Sequence, residues 1–185
     1  MRARRGMVGM ARTGRRARTA GSERRLPGGD VDANRALTRL VEGDLKPGVY
    51  QWRTAAVPGA VGDTGWTARA VEEGWRAYHL DGRRARGKDA FLALCAEVFG
   101  FPGWFGGNWD ALEDCLADLS WAGARKGFVV LYESWAELAE ADQASFRTAL
   151  AVFKGAVEIW RDTATPMTVL LSSVGVEVAG VPRLG

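Results

Sequence analysis

Four acidic side chains follow one short segment that is rich in aromatic residues and glycine. The segment 104–109 has the sequence WFGGNW, and the acids are Asp110, Glu113, Asp114 and Asp118. Spacings of three and four residues bring side chains together on a helix, where each pair of like charges costs about 0.2–0.5 kcal/mol. Carboxylates in this arrangement could bind Mg²⁺, act as an acid and base pair, or meet a cationic surface.

A helix that begins after Asn108 accounts for only part of this charge. Asn108 is a favoured N-cap residue, and Asp110 then lies in the first turn, where the helix dipole stabilises a carboxylate by about 0.3–1 kcal/mol. The dipole does not favour Asp114, and it opposes Asp118 near the helix end. The predicted core face repeats at helical spacing and consists of Leu112, Cys115, Leu116 and Leu119. These residues alone leave two interpretations open, a solvated acidic face and a binding surface.

The charge of the chain is unevenly distributed. The formal net charge is +3, but residues 1–25 contain nine arginines and one acid, which gives +8 there and −5 for residues 26–185. Between residues 100 and 144 eight acidic residues face only two basic ones, Arg125 and Lys126. One region of the folded part should therefore be strongly electronegative.

The composition favours one globular domain with extensions. The chain has 185 residues, 47% of them hydrophobic, and eight tryptophans. No apolar run approaches the roughly 20 residues that cross a bilayer, and the first 25 residues lack the apolar core of a secretory signal. Cys95 and Cys115 lie among apolar residues at helical spacing, which predicts buried, reduced side chains. We therefore expect a cytoplasmic protein.

The chain is predicted to have four parts. They are, in order, a disordered arginine-rich tail at 1–34, an accessory helix, strand and linker at 35–74, a main domain at 75–174, and a C-terminal tail at 175–185. The tail at the start lacks any hydrophobic periodicity. The accessory elements are a short helix near residues 36–41 and a strand at Val49–Trp52.

The main domain is predicted to be of the α/β class. Its strands are Ala77–Leu80, Gly127–Tyr132 and Met167–Ser172, and the last two are continuous apolar runs typical of strands covered on both faces. Helical patterns lie between them, the longest at Ala144–Trp160. The alternation predicts a small three-stranded parallel sheet with crossover helices packed against it.

The segment 103–116, GWFGGNWDALEDCL, resembles the signature of the barstar family, intracellular inhibitors of guanyl-preferring ribonucleases of the barnase type. The resemblance extends over about residues 78–172 and includes the segments YHLDG, VVLYESW and TVLLS. It implies a barstar-like fold and a protein without enzymatic activity, metal or cofactor. It also implies a barnase-like ribonuclease or ribonuclease toxin domain as partner, for self-protection or toxin immunity.

The resemblance further implies which residues touch the ribonuclease. They are Asp114, Asp110, Trp104, Gly106, Asn108, Trp109, Glu113 and Asp118. Asp114 matches the central acid that fills the phosphate pocket, and Asp110 matches its neighbour one turn earlier. Trp104 stands at the aromatic contact, Gly106 lets the loop approach closely, and Asn108 shapes the start of the helix. The other three flank the acids or extend the helix.

Two departures from the family pattern bear on the partner. Glu113 stands where the family commonly has tryptophan, which exchanges apolar contact for charge. Gly155 stands where a peripheral glutamate would lie in the last long helix, and Glu158, one turn later, is a candidate replacement.

Two other functions stay open at this point. Asp110, Glu113 and Asp114 could serve a Mg²⁺-dependent small hydrolase, although the single histidine, His79, lies far along the chain and GWFGGN lacks the Lys-Ser/Thr of a phosphate loop. Alternatively, the arginine-rich tail could make the protein a nucleic-acid-binding regulator. The acidic body argues against direct nucleic-acid binding by the folded domain, and no membrane contact is expected.

Overall fold

A computed structural model describes residues 35, 38–52 and 66–184 of the chain. Three predicted features lie wholly or partly outside the described residues. These are the arginine-rich tail at 1–34, the positions of Ala36 and Leu37 in the accessory helix, and residues 53–65 of the linker.

Four parallel strands form one sheet in the described part of the chain. They are β1 (Val49–Gln51), β2 (Trp75–Asp81), β3 (Gly127–Glu133) and β4 (Met167–Ser172), in the order β1-β4-β3-β2. β2 pairs with β3 from Trp75↔Gly127 to Asp81↔Glu133, and β3 pairs with β4 from Phe128↔Met167 to Glu133↔Ser172. The predicted parallel α/β sheet is confirmed, but the predicted number of three strands is wrong.

The fourth strand is the segment that the sequence suggested as accessory. β1 pairs with β4 at Val49↔Val169, Tyr50↔Leu170 and Gln51↔Leu171. A strand at the edge of a sheet presents unpaired N–H and C=O groups, and β1 satisfies those of β4. The three residues of β1 therefore belong to the sheet and to its core.

The C-terminal segment covers the outer edge of β1 through Gln51. The Gln51 N–H donates to the Pro182 carbonyl at 2.8 Å, and the Leu184 N–H donates to the Gln51 carbonyl at 2.8 Å. The buried side-chain amide of Gln51 donates to the Val181 carbonyl at 2.7 Å and accepts from the Val178 N–H at 2.7 Å. Main-chain and side-chain bonds together hold this segment along the strand.

Helices surround the sheet on both sides in the described part of the chain. They are α1 (Trp66–Glu72), α2 (Lys88–Phe99), α3 (Trp109–Ala117), α4 (Ala136–Ala141) and α5 (Gln143–Trp160). Residues 38–42 are helical as well. Short 3-10 turns at Gly82–Arg84 and Ser120–Ala122 follow β2 and α3.

The sheet separates two layers of buried side chains. On one face α2, α3, α4 and α5 pack against alternate strand residues, which include Tyr78, Val130, Tyr132 and Val169. On the other face α1 and residues 38–42 pack against the intervening positions Val129, Leu131 and Leu170. Both faces of β3 and β4 are thus covered, which explains why their sequences are continuously apolar. Cys95 and Cys115 are free and buried, as predicted.

Candidate functional site

Helix α3 begins at the predicted residue and buries the side that the sequence predicts. Asn108 precedes it with an extended backbone, and its Oδ1 accepts a hydrogen bond from the Ala111 N–H at 2.8 Å. Leu112, Cys115 and Leu116 are fully buried in the core. The cap fixes where the helix starts and the buried side fixes its rotation, so the acidic side must face solvent.

Three carboxylates form what we call the acidic surface: Asp110, Glu113 and Asp114, all exposed. None of them forms an ion pair with any side chain in the described part of the chain. The basic residues nearest in sequence are directed elsewhere, since Lys126 Nζ lies 3.0 Å from Glu73 Oε2 and the Arg125 side chain lies beside Gly74. The negative charge of the acidic surface is therefore not neutralised by these neighbours.

Many other carboxylates on the described surface are paired. The nitrogen–oxygen distances are 2.8 Å for Arg83–Asp81, 2.6 Å for Arg84–Glu97, 3.2 Å for Arg86–Glu137, 2.6 Å for Arg161–Glu158 and 2.5 Å for Arg183–Glu177. Hydrogen bonds and charge from Arg84 lower the pKa of Glu97, and those from Arg83 lower the pKa of Asp81. The acidic surface differs from these pairs because three unpaired carboxylates lie together on one helix.

Asp118 does not extend α3, so that prediction is wrong. The helix ends at Ala117, and Asp118 has an extended backbone with its Oδ1 accepting from the Ser120 N–H at 3.1 Å. Aspartate side chains compete with the helix by bonding to nearby backbone in this way. Asp118 nevertheless stays exposed next to the acidic surface. Burial raises the pKa of the Cys115 thiol, and the charges of Asp114 and Asp118 raise it further.

The loop before α3 rests on a set of aromatic rings. Phe99 and Phe101 stack with centroids 5.5 Å apart, and Phe101 contacts Phe105 at 4.9 Å. The Phe105 N–H donates to the Pro102 carbonyl at 3.0 Å, which closes a turn. This support leaves the side chain of Trp104 65% exposed at the surface.

Two glycines join this loop to the helix, and the sequence identified only one of them. A Cβ at Gly106 would lie 3.1 Å from Asn108 Nδ2 and would crowd the cap. Gly107 has φ of 63°, in the left-handed region that glycine alone adopts easily. Trp109, at the first position of the helix, is half-buried with its ring 5.9 Å from that of Phe91.

A second exposed tryptophan lies just after α3 and was missed by the sequence reasoning. Trp121 is 42% exposed on the turn Ser120–Ala122. Its ring centroid lies 6.5 Å from that of Phe101, and its Nε1–H points to the Phe99 carbonyl at 3.5 Å. Trp121 therefore contacts the same rings that support the loop. The longer exit from α3, LSWAGARKG, was the available signal.

Glu158, the candidate replacement for the family acid missing at Gly155, forms an ion pair in this structure. Arg161 Nη2 lies 2.6 Å from its carboxylate, and the side chain lines a groove beside β1 to which no residue of α3 contributes. Gly155 itself is exposed, and a Cβ added there would have no neighbouring atom within 4 Å.

The acids suggested for catalysis lie on α3, and the single histidine, His79, lies on β2. In residues 35, 38–52 and 66–184 no group of three or more His, Cys, Asp or Glu side chains could hold a metal ion. His79 Nε2 lies 2.8 Å from Oε2 of the buried Glu133 on the neighbouring strand. No helix of the described part is long and apolar enough to cross a membrane.

Comparison with solved structures gives a distant likeness in fold. The Aeropyrum pernix ORC2 protein in its ADPNP-ADP complexes aligns with a TM-score of 0.52 and 18% identity over 78% of this chain and 40% of that one. The ADP form of that protein aligns with a TM-score of 0.46 and 19% identity over 79% and 41%. This chain thus spans less than half the length of those proteins, and the likeness concerns the fold alone.

A search of the curated protein sequences finds no match. The family model described as Barstar (barnase inhibitor) matches residues 75–172, which is more than half of the chain. The match covers β2 to β4, α3 and the loop before it, and it confirms the resemblance predicted for about residues 78–172. The chain therefore belongs to the barstar family.

Proposed function

We propose that the protein inhibits a barnase-like ribonuclease, or a ribonuclease toxin domain, by covering its active site with α3 and the preceding loop. The observation that carries this proposal is the acidic surface, three exposed carboxylates that have no ion pair in the described part of the chain. A ribonuclease active site concentrates cationic side chains that hold RNA phosphates. Carboxylates fixed on a helix can occupy the same positions and accept charge-assisted hydrogen bonds from arginine.

Each residue near the acidic surface has a distinct proposed role. Asp114, in the middle of the exposed side of α3, enters the phosphate pocket, and Asp110 contacts the cationic wall one turn earlier. Glu113 adds charge between them. Trp104 offers a large exposed ring from the loop, and Asn108 holds the first turn in place. Complementary charge of this kind speeds encounter and fixes the orientation of the complex.

The biological role that follows is protection of the producing cell. The protein would act in the cytoplasm as a binding partner and not as an enzyme, against the cell's own ribonuclease or one delivered by a competitor. The membership of the chain in the barstar family supports this proposal.

The test is inhibition of barnase-type ribonucleases by the purified full chain. The variant Asp110→Ala/Asp114→Ala should lose most of the inhibition, because truncating one partner of a desolvated interfacial charge pair costs about 2–5 kcal/mol. Its unfolding curve should match that of the parent, since both side chains are exposed.

The matched control is Asp44→Ala/Glu140→Ala, which removes two negative charges from exposed residues outside α3. This control should inhibit as well as the parent. Equal inhibition by all three proteins would show that the acidic surface is not the binding site. Equal loss in both variants would show that net charge alone matters.

A further inference from the structure

A groove of about 680 Å³ lies on a part of the molecule that the proposed inhibition does not use. One wall is the segment Lys46–Tyr50 that leads into β1, and the other is the C-terminal part of α5 with the residues after it, up to Asp162. Pro182 of the C-terminal segment also lines the groove. The volume is within the range of roughly 300–1,000 Å³ typical of small-molecule sites.

The lining of the groove includes two valines and one aromatic ring that is held in place. Val49 and Val157 are buried there, 8% and 1% exposed. The Tyr50 hydroxyl donates to the Lys46 carbonyl at 2.8 Å, which fixes the ring. The ring lies so close to Gly48 that a Cβ there would come within 2.8 Å of it. Glycine at position 48 therefore allows the ring to line the groove.

The rim of the groove carries more available positive than negative charge. Arg161 and Glu158 form an ion pair with each other at 2.6 Å. Lys46 and Lys154 are exposed and form no ion pair within the described residues, whereas Lys126 elsewhere on the surface is bound by Glu73. Asp162 is the remaining acid of the lining. Two exposed lysines that form no ion pair in the described part of the chain, and one such carboxylate, thus line the same groove.

We propose that this groove binds a small aromatic molecule that carries a phosphate, of the class of nucleoside monophosphates. The two lysines hold the phosphate dianion, because ammonium groups bind phosphate as point charges. The planar group lies on the Tyr50 ring, where offset stacking stabilises it. The Asp162 carboxylate accepts an N–H of the base. The site is independent of ribonuclease inhibition, since no residue of α3 lines it.

Titration of the ¹⁵N-labelled full chain with adenosine 5′-monophosphate tests the proposal. Saturable shifts are expected at Val49, Tyr50 and Val157, with a dissociation constant at or below about 1 mM, equivalent to roughly −4 kcal/mol. Inorganic phosphate and adenosine, each used alone, should bind more weakly than the nucleotide. No saturable shift at these residues, or adenosine binding as tightly as the nucleotide, would overturn the proposal.

Two single charge reversals give a matched comparison. Lys154→Glu should weaken nucleotide binding about tenfold, whereas Lys88→Glu, on another exposed lysine without an ion pair in the described part, should leave it within about twofold. Tyr50→Leu should weaken binding of the nucleotide but not that of inorganic phosphate. Equal effects of the two lysine variants would show that the anion is attracted only by overall charge. Ribonuclease inhibition by Lys154→Glu should equal that of the parent, which separates this site from the proposed function.

Discussion

Helix α3 and the end of α5 carry charge in different ways although they are neighbours. Both pack their apolar sides on the same face of the sheet, and the Trp160 Nε1–H donates to the Leu116 carbonyl at 2.7 Å. On the exposed side of α5, Glu158 is bound by Arg161 three residues later. The nine residues of α3 include no lysine or arginine, so its carboxylates have no partner on their own helix.

The difference indicates which charges are available to another molecule. An exposed ion pair such as Glu158–Arg161 adds about 0–1 kcal/mol to stability. The Glu158 carboxylate in it is already paired with a cation. The acids of α3 repel one another, at about 0.2–0.5 kcal/mol for each pair three or four residues apart. The Asn108 cap and the three buried side chains offset that cost. A helix that keeps repelling charges exposed is suited to a cationic partner.

The largest difference between the two helices is expected when one charge is reversed on each of them. Asp114→Lys should weaken inhibition of a barnase-type ribonuclease by several kcal/mol, because like charges placed together at an interface cost that much. Glu158→Lys makes the same change in charge on α5 and should leave inhibition nearly unchanged. Inhibition constants for both variants and the parent, measured at one salt concentration, decide the matter.

Comparable losses for the two reversals would contradict the distinction drawn between the helices. Thermal unfolding serves as the control, since Asp114 and Glu158 are both exposed and neither reversal should change the melting temperature by more than a few degrees.

The parts of the site that sequence predicted correctly are those with local causes. Asn108 caps the helix through a bond to a residue three positions later, and the buried side of α3 follows from helical spacing. The continuous apolar runs of β3 and β4 likewise predict that both faces of these strands are buried. Each of these features needs only a few neighbouring residues to specify it.

The parts that sequence missed depend on distant partners or on competing local bonds. β1 joins the sheet because β4 has a free edge and because Gln51 bonds to residues more than 120 positions later. Three residues cannot carry that information by themselves. Asp118 left the helix because its carboxylate bonds to the Ser120 N–H, and periodicity does not detect this competition.

A smaller effect is expected from the exposed tryptophan that follows α3. Trp121→Ala should weaken inhibition by about 1–2 kcal/mol, roughly tenfold, because exposed tryptophans beside a charged centre commonly bury large area on binding. Ile159→Ala removes a side chain that is 56% exposed on α5 and should have no effect on inhibition. Calorimetric titration of both variants with the ribonuclease measures the difference. Equal affinities would limit the interface to α3 and the loop before it.

The smallest expected effect comes from giving α3 the local partner that it lacks. Ala117→Lys places an ammonium group four residues after Glu113 and near the C-terminal end of the helix. The pair with Glu113 and the helix dipole both favour this charge, so the free energy of unfolding should rise by about 0.2–0.5 kcal/mol. The same change should slow association with the ribonuclease a few-fold at low salt, because part of the attracting charge is neutralised. Ala117→Gln, of similar length but uncharged, should do neither. At about 1 M salt, where charges are screened beyond about 3 Å, the association rates of the three proteins should converge. A persistent difference there would mean that the side chain at position 117 acts by blocking contact, whereas convergence ties the encounter to the uncompensated charge of α3.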